Sequence, residues 1–207
     1  METLDEISKR YNLDKNAASG FHDYIPAYDS LFRNIRMTAK TVVEIGIGVV
    51  EAGQMGGAVG QGYKTGNSLR CWRDYFPEAT IYGLDIYPVN LVEPRIRCLK
   101  VDQGSVTDLS YFLNVVRDNL DVVIDDGSHL SWHQLFGFLS LHPYLKIGGF
   151  YCIEDIQPDC ASSFLDLSIF PLEIRNLLTK QYKIYVSDTR QRRNRKDDLL
   201  MAFQRVV

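Results

Sequence analysis

Four carboxylates, a hydroxyl and an imidazole fall in two short stretches of this 207-residue chain. The first is Asp125-Asp126-Gly127-Ser128-His129, and the second, about two dozen residues on, is Glu154-Asp155. Each stretch closes a run of apolar β-formers, Val122-Val123-Ile124 before one and Gly149-Phe150-Tyr151-Cys152-Ile153 before the other. Paired strands lie about 5 Å apart, so if these two are parallel neighbours their tips bring three or four carboxylates into one small volume. Such a group does not stay fully ionised without a cation or a shared proton. A hard divalent cation is the economical reading, with His129 beside it as proton acceptor. Helix capping or mutual hydrogen bonding would explain any single carboxylate, but explains the whole set at two strand ends less well.

The elements that must position these groups read as an α/β chain. Thr41-Val42-Val43-Glu44-Ile45 is a strand by β-branched content, and it opens into Gly46-Ile47-Gly48, a turn that lets backbone approach a ligand. The third glycine of a dinucleotide fingerprint is missing from its usual place, and Glu44 stands where dinucleotide folds carry an apolar residue. An acid followed by G-x-G is instead the pattern of S-adenosylmethionine (SAM) methyltransferases. Ala79–Leu84 forms a second strand ending in Asp85, placed to accept from ribose hydroxyls or, alternatively, to cap the next helix. Ile96–Val101 forms a third, ending in Asp102-Gln103-Gly104-Ser105, where Asp102 or Gln103 would meet an adenine edge. Asp121–Ile124 and Gly149–Ile153 are the fourth and fifth. Tyr182–Ser187 and Leu199–Val206 close the chain as a hairpin, adding one antiparallel edge member to a parallel sheet.

Helices are expected over Leu4–Tyr11, from Tyr28 to Ile35, from an Asn67-Ser68 cap to Pro77, over Leu109–Val116 behind a Thr107 cap, and from Trp132 to Leu145, stopped by Gly148-Gly149. A last one carries Phe164, Leu165, Leu167, Ile174, Leu177 and Leu178, with a break at Pro171. Residues 1–40 read as an N-terminal helical cap, either a plain edge cover or a flap over a pocket. Residues 49–66 are glycine-rich, too poor in large apolar residues to pack alone, and expected to act as a mobile lid, with a passive flexible insertion as the alternative. The basic tip Arg190-Gln191-Arg192-Arg193-Asn194-Arg195-Lys196 reads as a solvated turn, or as a contact for phosphates or an acidic partner.

With those residues assembled, the chain resembles the Rossmann-like SAM-dependent methyltransferases, and among them the metal-dependent sugar O-methyltransferases that act on macrolide deoxysugars and rhamnose-type glycan residues. The likeness rests on Tyr11-Asn12-Leu13-Asp14-Lys15, V-E-I-G-I-G (Val43–Gly48), S-L-R-C-W-R-D-Y-F-P (Ser68–Pro77), Y-G-L-D (Tyr82–Asp85), I-D-D-G-S-H (Ile124–His129) and I-E-D (Ile153–Asp155). Relatives often read G-T-D-K where this chain has Asn12-Leu13-Asp14-Lys15. The resemblance implies a mostly parallel seven-stranded sheet with helices on both faces and an antiparallel C-terminal edge hairpin, in one domain spanning 1–207. It implies Mg²⁺ (or Mn²⁺) on Asp126, Glu154 and Asp155, with His129 as general base and Asp126 beside it in catalysis. It implies SAM held by Glu44, Gly46, Gly48, Ser68, Asp85, Ile86, Asp102, Gln103 and Asp125, and a sugar or glycan as acceptor. A catechol-type O-methyltransferase and a hydroxylase-like relative are the alternatives.

Composition limits the rest. A 45% hydrophobic chain of this length suits one well-buried domain, and its formal charge of −3 argues against coating a nucleic acid. Met1–Arg10 has neither the basic start nor the apolar core of a signal peptide, and no apolar run reaches the ~20 residues of a bilayer span. A cytoplasmic protein with no membrane partner is expected, with four reduced, scattered cysteines. The loops Val49–Thr65 and Ile156–Ser162 leave room for a homo-oligomer.

Overall fold

The computed structural model describes residues 1–60, 62–116 and 119–207. The chain forms two compact units, Met1–Asp102 and Gln103–Val207. Its seven strands make a mixed sheet that contributes β3-β2-β1 in the first unit and β4-β5-β7-β6 in the second.

In the first unit, β1 (Thr41–Ile45), β2 (Thr80–Asp85) and β3 (Ile96–Lys100) run parallel, with Glu44 opposite Gly83 and Asp85 opposite Lys100. Every residue of β1 is buried, as a strand covered on both faces requires. The helices are α1 (Leu4–Arg10), α2 (Ile25–Phe32), α3 (Gly56–Val59) and α4 (Asn67–Tyr75). Thr3 and Glu6 close a reciprocal capping box at the start of α1. Helix α4 starts one residue earlier than the expected Asn67-Ser68 cap, because Gly66 at φ +78° takes the turn and leaves Asn67 and Ser68 inside the helix. Its Trp72 packs edge-on to Tyr28 and Phe32 of α2. Its Leu69 lies so close to β2 that a Cβ on Gly83 would come within 2.6 Å of Leu69 Cδ1.

In the second unit, β4 (Leu120–Asp125) and β5 (Leu145–Ile153) are parallel neighbours. Val122, Val123, Ile124 and Asp125 stand opposite Phe150, Tyr151, Cys152 and Ile153. The two acidic strand ends therefore emerge side by side, as the sequence requires of them. Strands β6 (Tyr182–Asp188) and β7 (Leu199–Arg205) follow, and β7 pairs antiparallel with both β5 and β6. The C-terminal hairpin takes the edge of the sheet as expected, with β7, its antiparallel member, between β5 and β6 and with β6 outermost. The physical reason is readable in burial, since Leu199-Leu200-Met201-Ala202-Phe203 is covered on both faces whereas β6 is exposed or half-buried beyond Tyr182. Helices α5 (Val106–Val116), α6 (Ser131–Leu141), α7 (Ala161–Leu165), α8 (Leu172–Gln181) and α9 (Arg190–Arg193) complete the unit.

Other expected boundaries move as well, α2 among them, which runs Ile25–Phe32 instead of Tyr28–Ile35. Helix α6 stops at Leu141, because Pro143 sits in a 3₁₀ turn over His142–Tyr144, and β5 starts at Leu145 instead of Gly149. Thr107 lies inside α5, and Ser105 makes the cap instead, its Oγ accepting from Asp108 N at 3.2 Å. Pro171 separates α7 from α8, as its ring predicts. The basic tip folds as α9 rather than as an open turn, and Arg190 forks onto Asp188 at 2.6 and 2.9 Å.

All four cysteines are free. Among the described residues, no helix is long and apolar enough to cross a membrane. The core of this unit gathers Phe138, Tyr151, Phe170 and Phe203. His142 stacks on Phe138 at 4.9 Å, and its Nδ1 meets Tyr182 Oη at 3.1 Å. Burial, followed by the charge of Arg205, lowers the His142 pKa from 6.5 to about 4. An imidazole that protonates more readily in the unfolded chain contributes stability that is intact above pH 6.5 and lost as pH falls from there toward 4. Urea midpoints should therefore drop more steeply over that window in the wild type than in His142→Gln, and parallel curves would contradict the assignment.

Candidate active site

The end of β5 curls back against the end of β4 by one backbone bond, Glu154 N donating to Asp125 O at 3.0 Å. Beyond that bond, Asp126, His129 and Asp155 each present a ligand atom, and the three atoms lie within 4.8 Å of one another. His129 Nε2 is 3.8 Å from Asp155 Oδ2, too far for a hydrogen bond, and His129 Nδ1 is buried with no hydrogen-bond partner. His129 and Asp155 both adopt left-handed backbone, at φ +56° and +51°. Such residues cost of order 1–3 kcal/mol and persist where their surroundings over-determine them. Here the handedness turns both side chains toward the same point.

Two hard carboxylates suit Mg²⁺ or Mn²⁺ better than a thiophilic metal. Opposed ligands of a cation bound at ~2.1 Å stand about 4.2 Å apart, so Asp126 and Asp155 already have nearly the required span, with His129 beside them. Glu154, expected to be a third carboxylate ligand, does not join that trio. Its side chain is buried, and its carbonyl accepts from Gln134 Nε2 at 2.8 Å.

Asp125 is wholly enclosed rather than open to a ligand. Gln103 Nε2 lies 2.7 Å from each of its oxygens, and Tyr151 Oη donates to Oδ2 at 3.1 Å. Burial raises its pKa to about 6, against the opposing effect of the Gln103 and Tyr151 bonds. Ser128 Oγ is 2.6 Å from His133 Nδ1, a contact that sequence reasoning missed because a lone helical histidine carries no signal.

The glycine turn in the first unit is built as its sequence suggests. Gly46 and Gly48 have φ of +78° and +63°, and Gly46 N donates to Leu84 O. A Cβ on Gly48 would come within 2.5 Å of Met55 Cγ. Asp85 accepts from Ile47 N (3.1 Å) and Tyr87 N (3.0 Å), so it braces the turn from the neighbouring strand. Ser68 is buried in α4, Ile86 is exposed, and Asp102 is half-buried.

The glycine-rich insertion is folded onto this turn. Tyr63 Oη donates to Ile47 O at 2.8 Å, Val50 N donates to Thr65 Oγ1, and Gln54 Oε1 accepts from Val49 N. A cavity of about 550 Å³ opens beside it, lined among others by Glu51, Lys64, Arg70 and Leu91. Position 61, within the expected lid, lies outside the described residues.

Glu44, read from sequence as a donor-binding acid, is fully buried. Lys15 Nζ lies 3.6 Å from Glu44 Oε1 with only 1% of its own side chain exposed, and Trp72 Nε1 donates to the same oxygen at 3.2 Å. Lys15 stands in the lead-in motif Tyr11–Lys15, where no local pattern gives it a role. Only the fold, by setting residue 15 against β1, brings the pair together.

Comparison with proteins of known structure defines the class: this is the Rossmann-like fold of SAM methyltransferases. A crystal structure of the MycE methyltransferase of mycinamycin biosynthesis, in complex with Mg and SAH, superposes with a TM-score of 0.73 at 28% identity. The match covers 99% of this chain and 55% of that one. A second MycE structure, with Mg, SAH and mycinamycin VI, gives the same TM-score at 27% identity, covering 99% and 53%.

The particular relatives are sugar O-methyltransferases. Mycinamicin VI 2''-O-methyltransferase of Micromonospora griseorubida is 39% identical over 157 residues, 74% of this chain and 36% of the relative. The 3'-O-methyltransferase of Streptomyces olivaceus that acts on 8-demethyl-8-(2-methoxy-alpha-L-rhamnosyl)-tetracenomycin C is 36% identical over 156 residues, again 74% and 36%. The chain thus matches only about a third of the length of these relatives. No family model matches the chain.

The buried pair carries a stability prediction. Removing one member of a buried ion pair typically costs about 3–5 kcal/mol, because the other charge is left without compensation. Lys15→Met should lose that much in urea denaturation, and Lys15→Met/Glu44→Gln should recover a large part. A single variant no less stable than the double would show that Glu44 does not depend on Lys15.

Proposed function

We propose that the chain transfers a methyl group from S-adenosylmethionine to a sugar hydroxyl, with a divalent cation, Mg²⁺ or Mn²⁺, at the Asp126–Asp155 site. The observation that carries this reading is the convergence of Asp126, His129 and Asp155 beyond the paired ends of β4 and β5. The relatives' action on sugar-bearing tetracenomycin and mycinamicin supports a deoxysugar acceptor. An acceptor within a glycan and a cytoplasmic setting complete the proposal.

Asp126 and Asp155 would hold the cation, with Glu154, which stands outside that cluster here, as the further carboxylate that the sequence resemblance implies. A bound divalent cation supplies Lewis acidity, which brings a weakly acidic alcohol within reach of a neutral base. His129 takes the hydroxyl proton at Nε2, the nitrogen facing Asp155. With no hydrogen bond to its Nδ1, the ring is not committed to one tautomer by the protein. In the first unit, the backbone of Gly46 and Gly48 gives the donor its close approach, and Asp85 fixes the turn that carries it.

The test uses labelled SAM with a panel of deoxysugar glycosides and catechols, with and without chelator. Transfer to the glycosides should be abolished by chelation and restored by Mg²⁺ or Mn²⁺. His129→Gln should lower kcat by about 10²–10⁴-fold, the span of general-base catalysis, with SAH affinity unchanged. Asp126→Ala and Glu154→Ala should weaken Mn²⁺ binding. Metal-independent turnover, or a preference for catechols, would overturn the reading.

A further inference from the structure

We infer that Gln103 is a positioning residue for the metal and base loop rather than a contact for the methyl donor. The inference rests on the proposed cation site. Sequence places Gln103 just after β3, where an amide is expected to read an adenine edge. In the structure the side chain is buried and every polar atom of it is engaged within the protein. Nε2 lies 2.7 Å from both oxygens of Asp125 and 3.3 Å from His133 O. Oε1 accepts from Ser128 N at 3.4 Å. The reverse amide orientation would set oxygen against the Asp125 carboxylate, so the chemistry itself fixes which way the group points.

One side chain therefore fastens both ends of the turn Asp125–Ser128. The hold continues along the chain: Ser128 Oγ meets His133 Nδ1 at 2.6 Å and accepts from Leu130 N at 3.4 Å. Positions 125, 128 and 130 are thereby fixed, and the two groups assigned to chemistry, Asp126 and His129, fall between them. His129 holds its left-handed backbone in the middle of this fastened segment. Donation from Gln103 Nε2 to an adenine nitrogen would have to break one of these fastenings, and groups that orient metal ligands typically change metal affinity by about 10–100-fold when removed.

The experiment measures Mn²⁺ binding by electron paramagnetic resonance and SAH binding by calorimetry on the full chain, in the wild type, Gln103→Met and Gln103→Asn. Asparagine is one methylene too short to span Asp125 and Ser128, and serves if the methionine variant does not melt cooperatively. The expected result is Mn²⁺ affinity weakened roughly 10–100-fold, with SAH affinity within about twofold of wild type. SAH binding weakened tenfold with Mn²⁺ binding unchanged would overturn the inference and return Gln103 to the donor site. Both affinities unchanged would also overturn it. A wild-type chain that binds no Mn²⁺ would instead sink the cation site on which the inference stands.

Discussion

The parallel register of β4 on β5 is the constraint from which the chemistry of this chain descends. Because Ile124 pairs with Cys152 and Asp125 with Ile153, the residues that follow each strand leave the sheet at the same level. The bond from Glu154 N to Asp125 O then holds the two exits together. A slip of one residue would exchange the faces of every side chain on the slipped strand. Asp126 and Asp155 would no longer point to a common place. The apolar run from Val122 to Ile124 and that from Phe150 to Ile153, buried on both sides, are what keep the strands from slipping.

Both units face the same problem of putting carboxylates where water does not reach, and they solve it differently. In the first, Glu44 is neutralised by a full opposite charge, Lys15, aided by the Trp72 indole. In the second, Asp125 is surrounded by neutral donors, the Gln103 amide and the Tyr151 hydroxyl. Neutral donors compensate a buried charge less completely, which is why the Asp125 carboxyl stays less acidic than an ordinary one. A charge partner makes a rigid strut. A ring of dipoles makes a clamp whose strength depends on every member being present.

The sheet and the acidic cluster were legible in the sequence for a simple reason. Apolar β-formers that end abruptly in charge specify both a buried strand and the end at which it delivers its side chains. The edge hairpin was legible too, and the unbroken apolar run Leu199–Phe203 marks β7 as its inner strand. Helix ends were less legible, since Asn67, Ser68 and Thr107 all have capping chemistry and only backbone geometry decides among Gly66, Ser105 and their neighbours. The roles of Lys15, Gln103 and His133 were not legible at all. Each depends on a partner far away in sequence or on a polar group consumed by the fold, and neither leaves a local pattern.

The Lys15–Glu44 contact has a further consequence for how this chain can be handled. The segment before α2 looks like a dispensable leader, short-helical and rich in polar residues. Yet it supplies the counter-ion of a buried carboxylate near the C-terminal end of β1. Any fusion junction, trimmed clone or protease nick that removes the first fifteen residues would strand that carboxylate in the interior, so damage at the surface would be felt in the middle of the sheet.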